Sequence, residues 1–551
     1  MKTFLAILFS ATLVFAFQHG DRPYSPHKNG TRSPVLGMNG MVATSQPLAS
    51  AAALRVLQDG GNAVDAAIAA AAVLNVVEPM MTGVGGDMFA LVYMQADKKP
   101  VGLNGSGWSG SKATVDFFKS RKMDRIPSTG IYSVSVPGAV AGWFKLHGKY
   151  GKLPMSRILQ PAIDYAENGY PVSEIIAGQW KANENKLKQN PEAAAAYLVD
   201  GKAPGQGQIV KFPNLARTLR ILAQRGRDAF YKGEIAEKIV AVSDKMDGTL
   251  TAADFRDYDA EWIDPITTNY RGYDVYELPP NTQGLVVLEM LNIMEGFDLK
   301  AMGHNTAPYL HTLVEAKRLA FADRDAYIAD PAKAAVPLQR LISKPYAAER
   351  RALIRPESVN TQIKAGVDEE ADTVYITVVD KDRNVVSFIN SLYDLFGSGV
   401  VAGDTGIMLH DRGGQFQLDP AHPNRVEPRK RPFHTLIPGM ILKDGKAFMS
   451  FGVMSGDMQA QGHAQVVANV VDFGMDVQFA GEAPRFRHSG QNLQLETQFA
   501  MDVRAALTKL GHIIVSAGDA YGGYQGIMID PKTGVLMGGS DVRKDGLAIG
   551  W

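Results

Sequence analysis

The run Thr373-Val374-Tyr375-Ile376-Thr377-Val378-Val379 begins abruptly after a polar, loop-like stretch, Pro356-Glu-Ser-Val-Asn-Thr-Gln-Ile-Lys-Ala-Gly-Val-Asp-Glu-Glu-Ala-Asp372. β-Branched and aromatic residues at such density predict a strand. A threonine heading a strand, directly behind an acidic linker, is where a chain can be cut to expose a new N-terminus. Such a threonine is chemically self-sufficient. Its hydroxyl is the nucleophile and its own α-amine is the base. The amine pKa, about 7.7–8.0, suits proton transfer near neutral pH. An ordinary strand threonine fits the same composition, so the residues alone leave both readings open.

Downstream of this run the spacing predicts further strands at 385–391, 399–402, 436–443 and 446–452, then a helix at about 459–472. Upstream the pattern is mainly helical. Pro47 to Leu57 reads as one helix, stopped by Gly60-Gly61, and Asn62 caps a second, very apolar one that ends before Pro79. Between 113 and 350, helical spacing recurs at 156–168, 212–224, 234–245, 283–295 and 306–328, and Thr251 with Asp254 opens one more. Residues 17–38 read as an extended tail and 186–209 as a surface excursion. A helical first part and a strand-rich second part predict an α+β or layered α/β architecture. The glycines of Thr82-Gly83-Val84-Gly85-Gly86-Asp87 invite a phosphate-loop reading. That loop needs a strand before it and a helix after it, whereas here the order is helix, glycines, strand. A tight turn that lets backbone approach backbone, or a substrate, is the better account.

Composition narrows the chemistry. The 551 residues contain no cysteine and carry 57 basic against 57 acidic side chains. Disulfides, thiolate metal sites and cysteine nucleophiles are excluded together. A neutral chain is not built to track phosphates, so no nucleic-acid partner is expected. The 11 histidines are scattered without the spacing of a helical zinc site, and neither a metal nor a cofactor is expected. No Gly-x-Ser-x-Gly elbow appears. Residues 1–16, one lysine and then an apolar run ending Val14-Phe15-Ala16, read as a secretory signal too short to span a bilayer stably. An exported protein follows, periplasmic or extracellular.

Several further stretches share one order with a known family: Met41-Val-Ala-Thr-Ser-Gln-Pro-Leu-Ala-Ser50, Gly60-Gly-Asn-Ala-Val-Asp-Ala-Ala67, Gly83-Val-Gly-Gly-Asp87, Ser135-Val-Pro-Gly-Ala-Val-Ala-Gly142, Glu315-Ala-Lys-Arg-Leu-Ala-Phe-Ala-Asp-Arg324, Gly397-Ser-Gly-Val-Val401, Arg431-Pro432, Ala483-Pro-Arg-Phe486 and Asp541-Val-Arg-Lys-Asp-Gly546. Along nearly its whole length the chain resembles the γ-glutamyltransferase (glutathione hydrolase) family of N-terminal-nucleophile hydrolases. The resemblance implies an α+β, four-layer αββα sandwich with helical additions. It implies a precursor that cuts itself between Asp372 and Thr373 into a large subunit, 17–372, and a small one, 373–551, which together form one fold. Thr373 would attack the amide carbonyl of a small-molecule substrate and pass the acyl group to water or an amine. Ser391 stands where the family has a hydroxyl that bonds the nucleophile. The paired oxyanion-hole residues fall at Ser455 and Gly456, where backbone N–H groups do the work.

The departures bear on the substrate. The family's carboxylate-binding arginine is expected in Asn104-Gly-Ser-Gly107, and Ser106 stands there. The aspartate for the substrate's α-amine aligns near Gln415. The serine pair corresponds to His434 and Thr435, and an asparagine near the nucleophile to Tyr393. Neutral groups thus replace a guanidinium and a carboxylate, and charge-assisted bonds are the stronger kind. The segment from Phe416 to Arg431 is short and lacks the family's lid loop. These features resemble the acylase-like branch, with its cephalosporin-acylase-like and oxamate-amidase-like members. Three readings follow: a γ-glutamyl hydrolase/transferase, an acylase for non-glutamyl amides, and an inactive secreted binding protein on the same scaffold.

Overall fold

The strand Asp372–Val379 is buried along its whole length, and its alternation explains why. Val374, Ile376 and Val378 point into one core, shared with helices, while Tyr375 and Val379 point into another, shared with a second sheet. Successive side chains on a strand face opposite ways, so an unbroken apolar run is what a strand covered on both faces requires. In a computed structural model of the chain, the described residues are Arg22, 30–363, 371–516, Gly518 and 521–551. The expected signal, 1–16, most of the start of the 17–38 tail and part of the acidic linker lie outside them.

Two antiparallel seven-stranded sheets face each other. The first runs Leu547–Gly550, Met41–Thr44, Asp372–Val379, Val385–Tyr393, Asp87–Tyr93, Pro100–Gly105, Glu261–Ile263. The second runs Val35–Gly37, Leu536–Ser540, Tyr524–Ile529, Lys446–Val453, Gly439–Lys443, Tyr273–Glu277, Ile266–Tyr270. Helices Pro47–Gln58, Ala63–Val77, Met155–Asn168 and Pro213–Arg225 share a core with the first sheet. Helices Gly284–Met294, Ala307–Tyr327 and Met458–Val471 share one with the second. The result is the αββα sandwich, with the Asp372–Val379 strand central in its sheet. Ala63–Val77 is buried on every side. Its alanines allow close packing, and a capping box between Asn62 and Asp65 closes its N-terminus.

Two sequence expectations fail locally. Residues 399–402 form no strand, only an isolated bridge between Val401 and Met408, because Gly397, Gly399 and Gly403 all adopt positive φ and turn the chain. The stretch read as mainly helical contains Glu261–Ile263, Ile266–Tyr270 and Tyr273–Glu277; the first two are edge strands of the two sheets and the third lies beside the second. Among the described residues no helix is long and apolar enough to cross a membrane.

Candidate active site

A β-bulge between Asp372 and Val374 interrupts pairing with the neighbouring strand just where Thr373 sits. Bulges re-aim a side chain out of the strand's ordinary alternation. The Thr373 hydroxyl donates to Ser391 Oγ at 3.2 Å. Ser391 Oγ in turn donates to the carbonyl of Asp372 at 3.0 Å and accepts the Tyr393 N–H at 2.8 Å. A hydroxyl has one proton and two lone pairs, so these three bonds satisfy Ser391 completely. They also fix its proton on the carbonyl of the peptide bond that precedes Thr373. Both hydroxyls are buried.

Ser391 is held from below by the glycine loop. A Cβ on Gly86 would lie 2.2 Å from the Ser391 carbonyl oxygen, and one on Gly85 would lie 2.1 Å from that of Met408. The glycines therefore serve backbone approach.

The Asp372 carboxylate is held on both oxygens. Oδ1 accepts the Thr373 N–H at 2.9 Å and the Ser455 hydroxyl at 3.5 Å. Oδ2 accepts Gln179 Nε2 at 3.1 Å and pairs with Lys544 Nζ. Ser455 and Gly456 follow the strand Lys446–Val453, and both adopt left-handed backbone, φ 76° and 50°, a strained choice for serine. Their carbonyls accept the N–H groups of Met458 and Gln459, at 2.9 and 3.2 Å, at the start of helix Met458–Val471. In a trans peptide the N–H points opposite to the C=O. The Gly456 N–H is therefore directed away from that helix.

Tyr393 ends its strand with φ 81°. Its hydroxyl accepts Gln415 Nε2 at 2.5 Å, and the Arg412 guanidinium lies over its ring, 4.1 Å from the centroid. Arg412 Nη1 donates to Thr435 Oγ1 at 3.0 Å. Gln283 Nε2 ties the Thr435 carbonyl, 2.9 Å, to that of Gly456, 3.1 Å. His434 is occupied internally. Its Nε2 donates to Asp87 Oδ2 at 3.1 Å and its Nδ1 accepts the Leu436 N–H at 3.4 Å. Burial, with the nearby Arg412 charge, pushes its pKa down to about 3, so the ring is neutral. Ser106 lies behind His434, where its Oγ accepts Asn281 Nδ2 at 3.1 Å, and Asn281 O accepts the His434 N–H at 2.8 Å.

Thr373, Ser391, Tyr393, Ser455, Gly456, Gln415 and Thr435 thus gather in one place, while His434 and Ser106 stand behind it as struts. Beside them opens a cavity of about 340 Å³, lined in part by Gln415, Phe433, Asn424, Arg324 and Asp457. Arg324 and Asp457 form a buried ion pair at 2.7 Å. Among the described residues, no three histidine or acidic side chains converge as a metal would require. Sequence reasoning missed Arg412, Lys544, Gln179 and Gln283. Arg412 lies three residues before Gln415, just outside the positions the resemblance singles out. A search for the cation at the Ser106 position alone passes over it.

Comparison with known proteins agrees with this geometry. The sequence model of the family described as Gamma-glutamyltranspeptidase matches residues 49–551. The chain belongs to the gamma-glutamyltranspeptidase family. Within that family it is 41% identical over 526 residues to the Glutathione hydrolase-like YwrD proenzyme of Bacillus subtilis (strain 168), covering 94% of this chain and 99% of the relative. It is 35% identical over 530 residues to the Acylase ACY 1 proenzyme of Pseudomonas sp. (strain SE83), covering 94% of each. The crystal structure of a cephalosporin acylase from Bacillus halodurans superposes with a TM-score of 0.89 at 42% identity, covering 97% of this chain and 99% of the other. This transpeptidase-family chain is an enzyme of the N-terminal-nucleophile hydrolase type, and its curated relatives are proenzymes.

Proposed function

We propose that this chain is an exported, self-processing amidohydrolase that cuts itself between Asp372 and Thr373 and then uses Thr373 as its nucleophile. The observation that carries the reading is the relay from the Thr373 hydroxyl through Ser391 to the Asp372 carbonyl. In the uncut chain, Thr373 Oγ1 attacks that carbonyl carbon. The C–N bond breaks, the hydroxyl proton goes to the departing nitrogen, and an ester replaces the amide. Water then hydrolyses the ester, leaving Asp372 as a carboxylate and Thr373 with a free amine. That amine takes the hydroxyl proton during turnover. The developing oxyanion of a substrate amide meets the Gly456 N–H, a preorganised donor of the kind worth about 10²–10³ in rate. The acyl group leaves on water or an acceptor amine.

For the acyl donor, the acylase reading is favoured over a γ-glutamyl one by Gln415. It stands where an anion would receive an α-ammonium, and it donates its amide to Tyr393. The relay at Thr373 equally disfavours an inert binding protein. Electrophoresis of purified protein tests the reading directly: two fragments should appear for the wild type and one uncut chain for Thr373→Ala, with no amide turnover. A wild type that stays whole on long incubation would overturn it.

A further inference from the structure

Arg412 is buried, with its Nε and Nη2 sealed from solvent and without a hydrogen-bond partner among the described residues. One of its three nitrogens is used, by Thr435. A buried cation left unpaired costs several kcal/mol, and a guanidinium is shaped to receive two oxygens side by side. Asp87, Asp411 and Asp394 lie close enough to stabilise the charge, but none of them hydrogen-bonds the guanidinium. Asp87 spends its oxygens on the N–H groups of Gly107 and Gly138 and on His434. Asp411 is buried, and burial together with neighbouring Asp394 raises its pKa well above the ordinary range. The guanidinium lies against Tyr393, whose backbone bonds the Ser391 hydroxyl, and against Thr435, which Gln283 ties to the Gly456 turn. It is therefore one side chain removed from both halves of the reaction centre.

We propose that Arg412 is the specificity-determining residue of this site, and that it binds a carboxylate carried by the acyl half of the substrate, without any requirement for an amine on that half. This rests on the amidohydrolase reading above and deepens it. The cation expected at the Ser106 position is supplied from the Arg412–Gln415 turn instead, while the amide of Gln415 stands where the ammonium-binding aspartate is expected.

The test uses three anilides built on the same acyl backbone: glutaryl p-nitroanilide, its methyl ester, and γ-glutamyl p-nitroanilide. Self-cleaved wild type should prefer the free carboxylate to the ester by about 100-fold in kcat/KM, the scale of a charged hydrogen-bonded pair, and should prefer glutaryl to γ-glutamyl. In Arg412→Met the ratio of carboxylate to ester should collapse towards one, with Arg412→Lys in between. Because each ratio is measured within one preparation, a partial loss of folded enzyme cancels. Calorimetric titration of glutarate provides a readout independent of turnover, with binding expected for the wild type and lost in Arg412→Met. No preference in the wild type, a preference that survives in Arg412→Met, or a γ-glutamyl preference would overturn the proposal. If processed protein hydrolyses none of the anilides yet binds glutarate through Arg412, the hydrolase reading fails while the carboxylate site at Arg412 stands.

Discussion

Glu78 shows how much electrostatic tension is stored around the bond before Thr373. It ends the apolar helix Ala63–Val77, is buried, and has an Oε2 with no partner among the described residues. Burial pushes its pKa up to about 8, while the Lys544 charge pulls the other way. Lys544 is the same ammonium that pairs with Asp372. Below the unfolded pKa, about 4.5, the carboxyl is protonated in both states and costs nothing. Between about 4.5 and 8 the unfolded chain releases the proton and the folded chain keeps it, so stability falls by about 1.4 kcal/mol per pH unit. Above 8 the slope ends and the loss remains. In the uncut Thr373→Ala background, Glu78→Gln should therefore gain stability over its parent as pH rises from 5 to 8, read as a widening gap in denaturation midpoint. A gap that stays constant across that range would show that Glu78 ionises normally. At this scale the sequence was legible for groups that act through their own chemistry, Thr373 and Ser391. It was silent on Arg412, Lys544 and Glu78, whose importance lies in having, or lacking, a partner that only the folded chain brings near.

Elements were legible where local pattern and tertiary need agree. The strand read at 373–379 and the helix ending at Val77 match the structure to within a residue because both are covered on all sides, so their residues are almost all apolar. Glu261–Ile263 and Ile266–Tyr270 were lost because they sit at sheet edges, and Tyr273–Glu277 is the short strand next to one of them. There Ile266–Tyr270 alternates buried with exposed residues over only five positions, too few to set a period of two against the helical background. The glycine loop before Asp87 was read as backbone approach, and the Gly86–Ser391 contact gives that reading a magnitude. Gly86→Ala would press a methyl group against backbone, which cannot swing aside as a side chain can. A loss of about 1–3 kcal/mol is expected, together with slower self-cleavage, because the strand that shifts carries Ser391. Gly148→Ala is the matched control. It lies inside helix Ala139–Tyr150, where an added Cβ meets nothing within 4 Å, and it should gain up to about 1 kcal/mol. Equal urea midpoints for the two variants would contradict the assignment of the loop as a packing device.

At the scale of the whole molecule, the position of the proposed cut matters less than how the strands on either side of it interleave. In the first sheet, Asp372–Val379 and Val385–Tyr393 lie between Met41–Thr44 and Asp87–Tyr93, and Leu547–Gly550 flanks Met41–Thr44 on its far side. In the second, four strands from beyond residue 373 separate Val35–Gly37 from Tyr273–Glu277 and Ile266–Tyr270. The core between the sheets likewise mixes Met41, Phe89 and Leu278 with Tyr375, Leu436 and Ile527. Neither fragment could keep a closed sheet alone, because each would expose strand edges and apolar faces that only the other covers. The cut protein should therefore elute as one particle carrying both fragments in equal amounts. Both should unfold in a single urea transition that far-ultraviolet dichroism and tyrosine–tryptophan fluorescence report at the same midpoint. Covalent continuity across 372–373 contributes to stability only by limiting the unfolded chain. The uncut Thr373→Ala chain should accordingly differ from the cut protein by a change that depends on protein concentration, since two chains must reassociate in one case and not in the other. Two separate transitions, or a fragment that remains folded after its partner is removed in denaturant and dialysed away, would mean that the halves are independent domains and not one interleaved sandwich.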